Sequence, residues 1–122
     1  MASILNTLYG VLAFIKKAYN IPTSNFIGHS DIAPGRKTDP GVLFPWKSLA
    51  EKGYGNWYAD TTTTVLPADF NSLYALKIIG YDVKDLPAIY RAFRIHFLGY
   101  NVAGELTEPE KKILYMLMQK YL

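Results

Sequence analysis

The stretch GHSDIAPGRKTDPG, residues 28–41, concentrates the polar chemistry of this chain in one short segment. It contains His29, one of only two histidines, and also Lys37 and Asp39. Its prolines and glycines predict a loop that folds back on itself. An imidazole nitrogen and a carboxylate oxygen suit zinc, whose catalytic sites leave a coordination position open to water. The segment therefore predicts a metal site at His29 and Asp39, with the Lys37 ammonium stabilising charge beside it.

Taken singly, these residues have simpler interpretations. A histidine after an apolar strand is more often a hydrogen-bonded structural residue than a ligand. An aspartate before Pro-Gly, such as Asp39, is more often a turn residue. Their combination within one constrained loop is what favours a metal site over two unrelated structural roles.

The residues before and after this loop predict short elements around it. Apolar residues at three- and four-residue intervals predict an amphipathic helix over residues 3–19, with lysines near its end. The sequence NFIGH, residues 25–29, predicts a short buried strand that places His29 at its end. Residues 30–41 are predicted as loop, and PWKSLAEKG, residues 45–53, predicts a short helix with Pro45 in its first turn.

The second half of the chain predicts a three-helix bundle. Residues 54–67 lack periodicity and predict a linker. The first helix of the bundle ends at Gly80, the second runs from Asp85 to Gly99, and the third starts with a capping box between Thr107 and Glu110. The second helix carries His96, which we interpret as structural, and a group of aromatic residues that we assign mostly to the core: Tyr81, Tyr90, Phe93, Phe97 and Tyr100.

Composition limits the possible functions. The net charge is only +3, and the 13 basic residues are distributed along the 122-residue chain without long basic runs. This distribution argues against a nucleic-acid partner. Without cysteine, a metal must be held by His, Asp or Glu. The apolar segment LYGVLAFI, residues 8–15, is too short to span a bilayer, and no signal peptide is visible.

The sequence GHSDIAPGRKTDPGVLFPW, residues 28–46, resembles the zinc-dependent N-acetylmuramoyl-L-alanine amidases of the type 2 class, which share a fold with peptidoglycan recognition proteins. The resemblance implies a hydrolase that cuts the amide between N-acetylmuramic acid and L-alanine in peptidoglycan. It places zinc ligands at His29 and Asp39 and an assisting role at Lys37. Substrate-binding residues stay unassigned.

The second half resembles the small three-helix peptidoglycan-binding domain that follows the catalytic domain in some of these amidases. The segments that carry this likeness are LYALKIIGYDV, IYRAFRIHF and GELTEPEKKILYML. The resemblance implies a bacterial protein with zinc as cofactor and peptidoglycan or a muropeptide as partner. It leaves the cell envelope, the periplasm and the cytoplasm open as locations.

The family's zinc site also uses a second histidine on an earlier strand and a glutamate as general base. Residues 1–28 contain no His, Asp or Glu. We therefore expect an incomplete zinc site and an α+β, mostly helical fold. Residues 1–53 are predicted as the C-terminal part of a catalytic domain (helix, strand, ligand loop and short helix), followed by the linker at 54–67 and the bundle at 68–122.

Three functional hypotheses remain open from the sequence. The first is an amidase whose activity needs the missing half, so that this truncated chain alone is not expected to be active. The second is an inactive peptidoglycan-binding remnant, and the third is an interaction protein acting through residues 3–19. Because a lone strand and an uncovered amphipathic helix need partners, we also expect a homo-oligomer or pairing with a missing N-terminal segment.

Overall fold

The computed structural model describes residues 2–122, which form helices joined by turns. The α-helices are α1 (Ala2–Tyr19), α2 (His29–Ile32), α3 (Trp46–Glu51), α4 (Ser72–Ile78), α5 (Leu86–Phe97) and α6 (Glu108–Gln119), and a 3₁₀ turn covers Thr23–Asn25. No β-strand occurs between residues 2 and 122. The mostly helical character is as predicted, whereas the α+β class is wrong for the described chain.

The predicted strand at residues 25–29 is absent, and this is the main error of the sequence analysis. Asn25 ends the 3₁₀ turn, and His29 begins α2 instead of ending a strand. Between them Phe26 and Gly28 keep an extended backbone, with φ and ψ of −89° and 99° and of −91° and 164°. A strand needs a neighbour to bond its backbone groups, and the described residues supply none.

Helix α1 matches the predicted helix, but the chain covers its apolar face only in part. None of residues 4–19 is buried, and the side chains of Ile4 and Phe14 are 70% and 73% exposed. The helix is held near its end by Lys16, whose Nζ donates to Thr23 Oγ1 at 3.0 Å and to the Gly53 carbonyl at 2.7 Å. Leu8, Leu12 and Ile15 are half-buried, so α1 is attached both by these apolar side chains and by the polar contacts of Lys16.

The predicted starts of the second and third bundle helices are confirmed, whereas α4 begins at Ser72, later than its predicted segment. The Asn71 side chain caps α4, and the Asp85 side chain accepts a hydrogen bond from the Ala88 N–H at the start of α5. Thr107 and Glu110 form the predicted capping box of α6. After α4, Gly80 has φ of 112°, a conformation that favours glycine.

The hydrophobic core lies between α4, α5 and α6. Its most deeply buried large side chains are Leu76, Ile89, Phe93, Leu114 and Leu117. Residues 54–67 have no regular secondary structure, as predicted, but Trp57 and Tyr58 pack against this core. The Tyr58 hydroxyl donates to the Phe97 carbonyl at 3.0 Å. The first part of the predicted linker is therefore packed against the bundle.

Helix α5 is the element that links the two halves of the chain. Helices α2 and α3 pack against it from one side, while the bundle core lies on the other. Trp46 of α3 stacks on His96 of α5 with ring centroids 3.9 Å apart. The ligand loop is thus held against the bundle. Within residues 2–122, no helix has the length and apolar character needed to cross a membrane.

Candidate metal-binding loop

The loop begins at a glycine that has no room for a side chain. A Cβ added at Gly28 would lie 2.8 Å from Pro40 Cδ and 3.1 Å from the Trp46 ring. The Gly28 N–H donates to Asp31 Oδ2 at 2.8 Å, which caps the first turn of α2. The residues from His29 to Ile32 predicted as strand end and loop are helical because Asp31 caps them.

Backbone hydrogen bonds close the loop. The Ala33 carbonyl accepts from the N–H groups of Arg36 and Lys37 at 3.0 and 2.9 Å, which reverses the chain direction. The second half of the loop then reaches α2, where the Ser30 N–H donates to the Asp39 carbonyl at 2.9 Å. This closure places the side chains of His29 and Asp39 together.

His29 and Asp39 form a pair with free access from solvent. His29 Nδ1 lies 3.2 Å from Asp39 Oδ2, and the two side chains are 49% and 64% exposed. Two ligands of a tetrahedral zinc ion, each about 2.1 Å from the metal, lie about 3.4 Å from each other. The spacing of the two donors therefore fits one ion. Within residues 2–122, however, no third His, Asp or Glu joins them in a group that could hold a metal.

Lys37 lies on the same exposed turn but does not contact the pair. Its backbone N–H holds the turn through Ala33, and its side chain points to solvent. Among residues 2–122 it forms no ion pair. Its ammonium is therefore available to an anionic group that approaches the loop.

A buried polar cluster beneath the loop was missed by the sequence analysis. Asp31 accepts hydrogen bonds from Tyr81 Oη at 2.5 Å and from His96 Nδ1 at 2.6 Å. All three residues are buried, and burial, followed by the charge of Asp31, raises the pKa of the Tyr81 hydroxyl well above its ordinary value. The sequence offers a signal only for the helix cap, an acidic residue three positions after Gly28, and the prediction of residues 30–41 as loop left this cap unrecognised.

The predicted core aromatics divide between the interior and the rim. Tyr81, Phe93 and Phe97 are buried, whereas Tyr90 is half-buried. Tyr100 is 41% exposed, and its hydroxyl donates a short hydrogen bond to Glu110. His96 is buried and hydrogen-bonded, which agrees with its interpretation as structural.

Comparison with known proteins identifies relatives of this arrangement. No protein-family model matches the chain. The N-acetylmuramoyl-L-alanine amidase AmiD of Escherichia coli (strain K12) is 36% identical to it over 118 residues, covering 84% of this chain and 43% of that protein. The chain thus spans less than half the length of this curated relative.

Solved structures agree with the sequence match. The structure of AmiD from E. coli with the substrate anhydro-N-acetylmuramic acid-L-Ala-D-gamma-Glu-L-Lys has a TM-score of 0.78 at 31% identity, covering 96% of this chain and 51% of that one. AMPDH3 from Pseudomonas aeruginosa in complex with anhydromuramic pentapeptide has a TM-score of 0.84 at 35% identity, covering 99% and 54%. This chain is therefore similar in sequence and fold to AmiD and AMPDH3 over about half of their length, and its fold is a fragment of the fold of these amidases.

Proposed function

We propose that this chain is the ligand-loop and bundle portion of a peptidoglycan amidase. The reaction is hydrolysis of the amide between N-acetylmuramic acid and L-alanine, and the substrate is peptidoglycan or a muropeptide. The observation that carries the proposal is the 3.2 Å approach of His29 Nδ1 and Asp39 Oδ2. The homologous amidases, two of them solved with anhydromuramyl peptides, support the substrate class.

In this proposal His29 and Asp39 are two of the protein ligands of a zinc ion. Their donor types and their spacing fit that metal, and their exposure leaves room for further ligands. When bound, zinc would supply an activated water and polarise the amide carbonyl. A catalytic zinc site has three protein ligands, and the described residues supply only two here. In this proposal the third ligand comes from outside the described residues.

Lys37 has an electrostatic role in the proposed site. The hydrogen bond from the Lys37 N–H to the Ala33 carbonyl fixes the backbone of Lys37. Lys37 is two residues before Asp39 in the sequence. An ammonium group that forms no ion pair with the described residues can bind the oxygen that becomes negative during amide hydrolysis. Replacing Lys37 with Met should therefore lower turnover without weakening zinc binding.

The proposal is tested first by zinc titration of the chain. We expect weak binding, of lower affinity than micromolar, because only two ligands are present. His29→Ala should remove most of it, whereas Asp69→Asn, a change of an exposed acidic residue outside the loop, should leave it unchanged. Sub-micromolar binding that survives His29→Ala would show that zinc binds elsewhere.

Activity is tested separately with an anhydromuramyl tripeptide. Zinc-dependent release of a peptide with L-alanine at its amino terminus supports an amidase, and it should depend on a segment that supplies the missing ligand and general base. Binding of peptidoglycan without any release, even when such a segment is supplied, would contradict the amidase proposal and indicate a protein that only binds the wall.

A further inference from the structure

The Asp31 carboxylate is the meeting point of three parts of the chain. It lies on α2, two residues after His29, and it accepts hydrogen bonds from the Gly28 backbone, from Tyr81 after α4 and from His96 on α5. The His96 and Asp31 side chains are only 4% and 7% exposed. An ionised carboxylate can only accept, so Nδ1 of His96 carries the proton that it shares with Asp31.

His96 is itself held rigidly. Its ring lies between Trp46 and Phe97, with centroid distances of 3.9 and 4.0 Å and interplanar angles of 13° and 21°. These two aromatic contacts fix the plane of the imidazole, and the backbone of α5 fixes the position of the ring along the helix. The direction of the hydrogen bond to Asp31 is therefore set by α5 together with Trp46 of α3, and not by the loop.

Helix α2 cannot hold its own shape. It has four residues, and an isolated helix of a single turn is unstable in water. Its position decides where His29 points and whether the Ser30 N–H meets the Asp39 carbonyl at 2.9 Å. A contact from another element that fixes α2 therefore also fixes the distance between His29 and Asp39.

We propose that His96 is a positioning residue for the ligand loop: through Asp31 it fixes α2, and thereby holds His29 beside Asp39. In this proposal the three-helix bundle helps to set the geometry of the loop. The effect of His96 on zinc binding rests on the proposed function. The effect of His96 on the position of His29 does not depend on that function.

The test uses the full chain and compares the amide hydrogen exchange of Ser30 with that of Leu117 in the core of α6. His96→Phe keeps the stacked ring and removes the hydrogen bond to Asp31. We expect Ser30 exchange to accelerate by about tenfold more than Leu117 exchange, since loss of a charge-assisted hydrogen bond opens the loop locally. His96→Asn, whose amide nitrogen replaces Nδ1, should restore at least part of the protection.

Tyr100→Phe is the matched control, because it removes a hydroxyl that donates to Glu110 and does not touch the loop. It should not accelerate Ser30 exchange selectively. Equal acceleration of Ser30 and Leu117 in His96→Phe would overturn the proposal, because His96 would then contribute only to overall stability. If His96→Phe does not fold, His96→Leu removes the same hydrogen bond to Asp31, and the same comparison decides.

Zinc titration of the same variants separates this inference from the proposed function. If both hold, His96→Phe should weaken zinc binding by about tenfold, and His96→Asn should recover part of it. Absence of zinc binding in the unmodified chain would contradict the proposed function, while the Ser30 exchange would still decide the positioning role.

Discussion

Arg94 of α5 and Glu110 of α6 form a buried ion pair with two parallel hydrogen bonds. Arg94 Nε donates to Glu110 Oε2 at 2.8 Å, and Nη2 donates to Oε1 at 2.9 Å. The guanidinium also donates to the carbonyls of Val102, Gly104 and Glu105. One side chain therefore joins α5 to α6 and fixes the backbone of the segment between them.

This ion pair predicts a loss of stability in acid. The hydrogen bond from Arg94 is the main cause that lowers the pKa of Glu110 from 4.5 to about 2 in the folded chain. A carboxyl group with a lowered pKa stabilises the fold above its unfolded value, and that contribution is lost as the pH falls from about 4.5 towards 2. The difference corresponds to about 3 kcal/mol. Urea denaturation between pH 7 and pH 2.5 should show this decrease in the free energy of unfolding.

Variants assign the acid effect to one residue. Glu110→Gln should be less stable than the unmodified chain at pH 7, by about 3 kcal/mol or more, because it leaves Arg94 buried without a charge partner. It should also lose most of the pH dependence below pH 4.5. Glu108→Gln changes an exposed carboxyl in the same turn and should behave like the unmodified chain. An equal effect of both variants would contradict this assignment.

Local signals in the sequence were sufficient for the helices but not for the region around the loop. Asp85 and Thr107 cap helices through contacts within a few residues, and such contacts can be recognised in a sequence. The sequence NFIGH, residues 25–29, predicts a strand, but apolar character alone does not supply a pairing partner. Of the predicted strand, only the extended backbone at Phe26 and Gly28 is observed.

The polar cluster could not be predicted because its members are far apart in the chain. Asp31 and His96 are separated by 65 residues, and Asp31 and Tyr81 by 50. Only the packing of α2 on α5 brings them together. The His29 and Asp39 pair, by contrast, spans ten residues within one loop, so a sequence pattern was sufficient to suggest it.

Two glycines predict opposite effects of the same substitution. Gly28→Ala should destabilise the fold by about 2 kcal/mol, because its Cβ would overlap Pro40 Cδ at 2.8 Å. Gly10→Ala should stabilise it by about 0.5–1 kcal/mol, because nothing lies within 4 Å and alanine is the better helix former. Thermal unfolding of the two variants provides the comparison. A stable Gly28→Ala variant would mean that the loop has room to move away from Trp46.

The proposed domain boundaries predict which fragments fold. We propose that residues 68–122 form an independent domain, with residues 1–53 as the other unit and 54–67 between them. The fragment 54–122 should be more stable than 68–122 by about 2 kcal/mol, because it retains Trp57 and Tyr58 against the core. Denaturation of both fragments measures this difference.

A cap mutation checks that the shorter fragment folds as described. Thr107→Ala should lower the stability of fragment 68–122 by about 1 kcal/mol, since it removes the side chain that accepts from the Glu110 N–H. The absence of a cooperative transition in both fragments would mean that the bundle depends on α2 and α3.

Self-association is the last prediction, and it rests on the uncovered face of α1. Ile4, Val11 and Phe14 are between 49% and 73% exposed, and Ile27, in the extended segment after the 3₁₀ turn, is 47% exposed. Exposed apolar surface of this kind favours association, and two-fold dimers are the commonest closed form. We therefore expect a dimer or larger assembly with residues 4–28 near its centre. Sedimentation equilibrium at tens of micromolar should give a mass above the 13.8 kDa of one chain.

Two charge variants locate the association surface. Phe14→Asp should shift the chain to a monomer, because a charge in an apolar interface would have to be desolvated. Val65→Asp changes a side chain that is 82% exposed but lies outside residues 4–28, and it should leave the mass unchanged. If the unmodified chain sediments at 13.8 kDa, α1 does not mediate association between copies. If Val65→Asp dissociates the assembly and Phe14→Asp does not, the interface lies near residue 65 and α1 is not part of it.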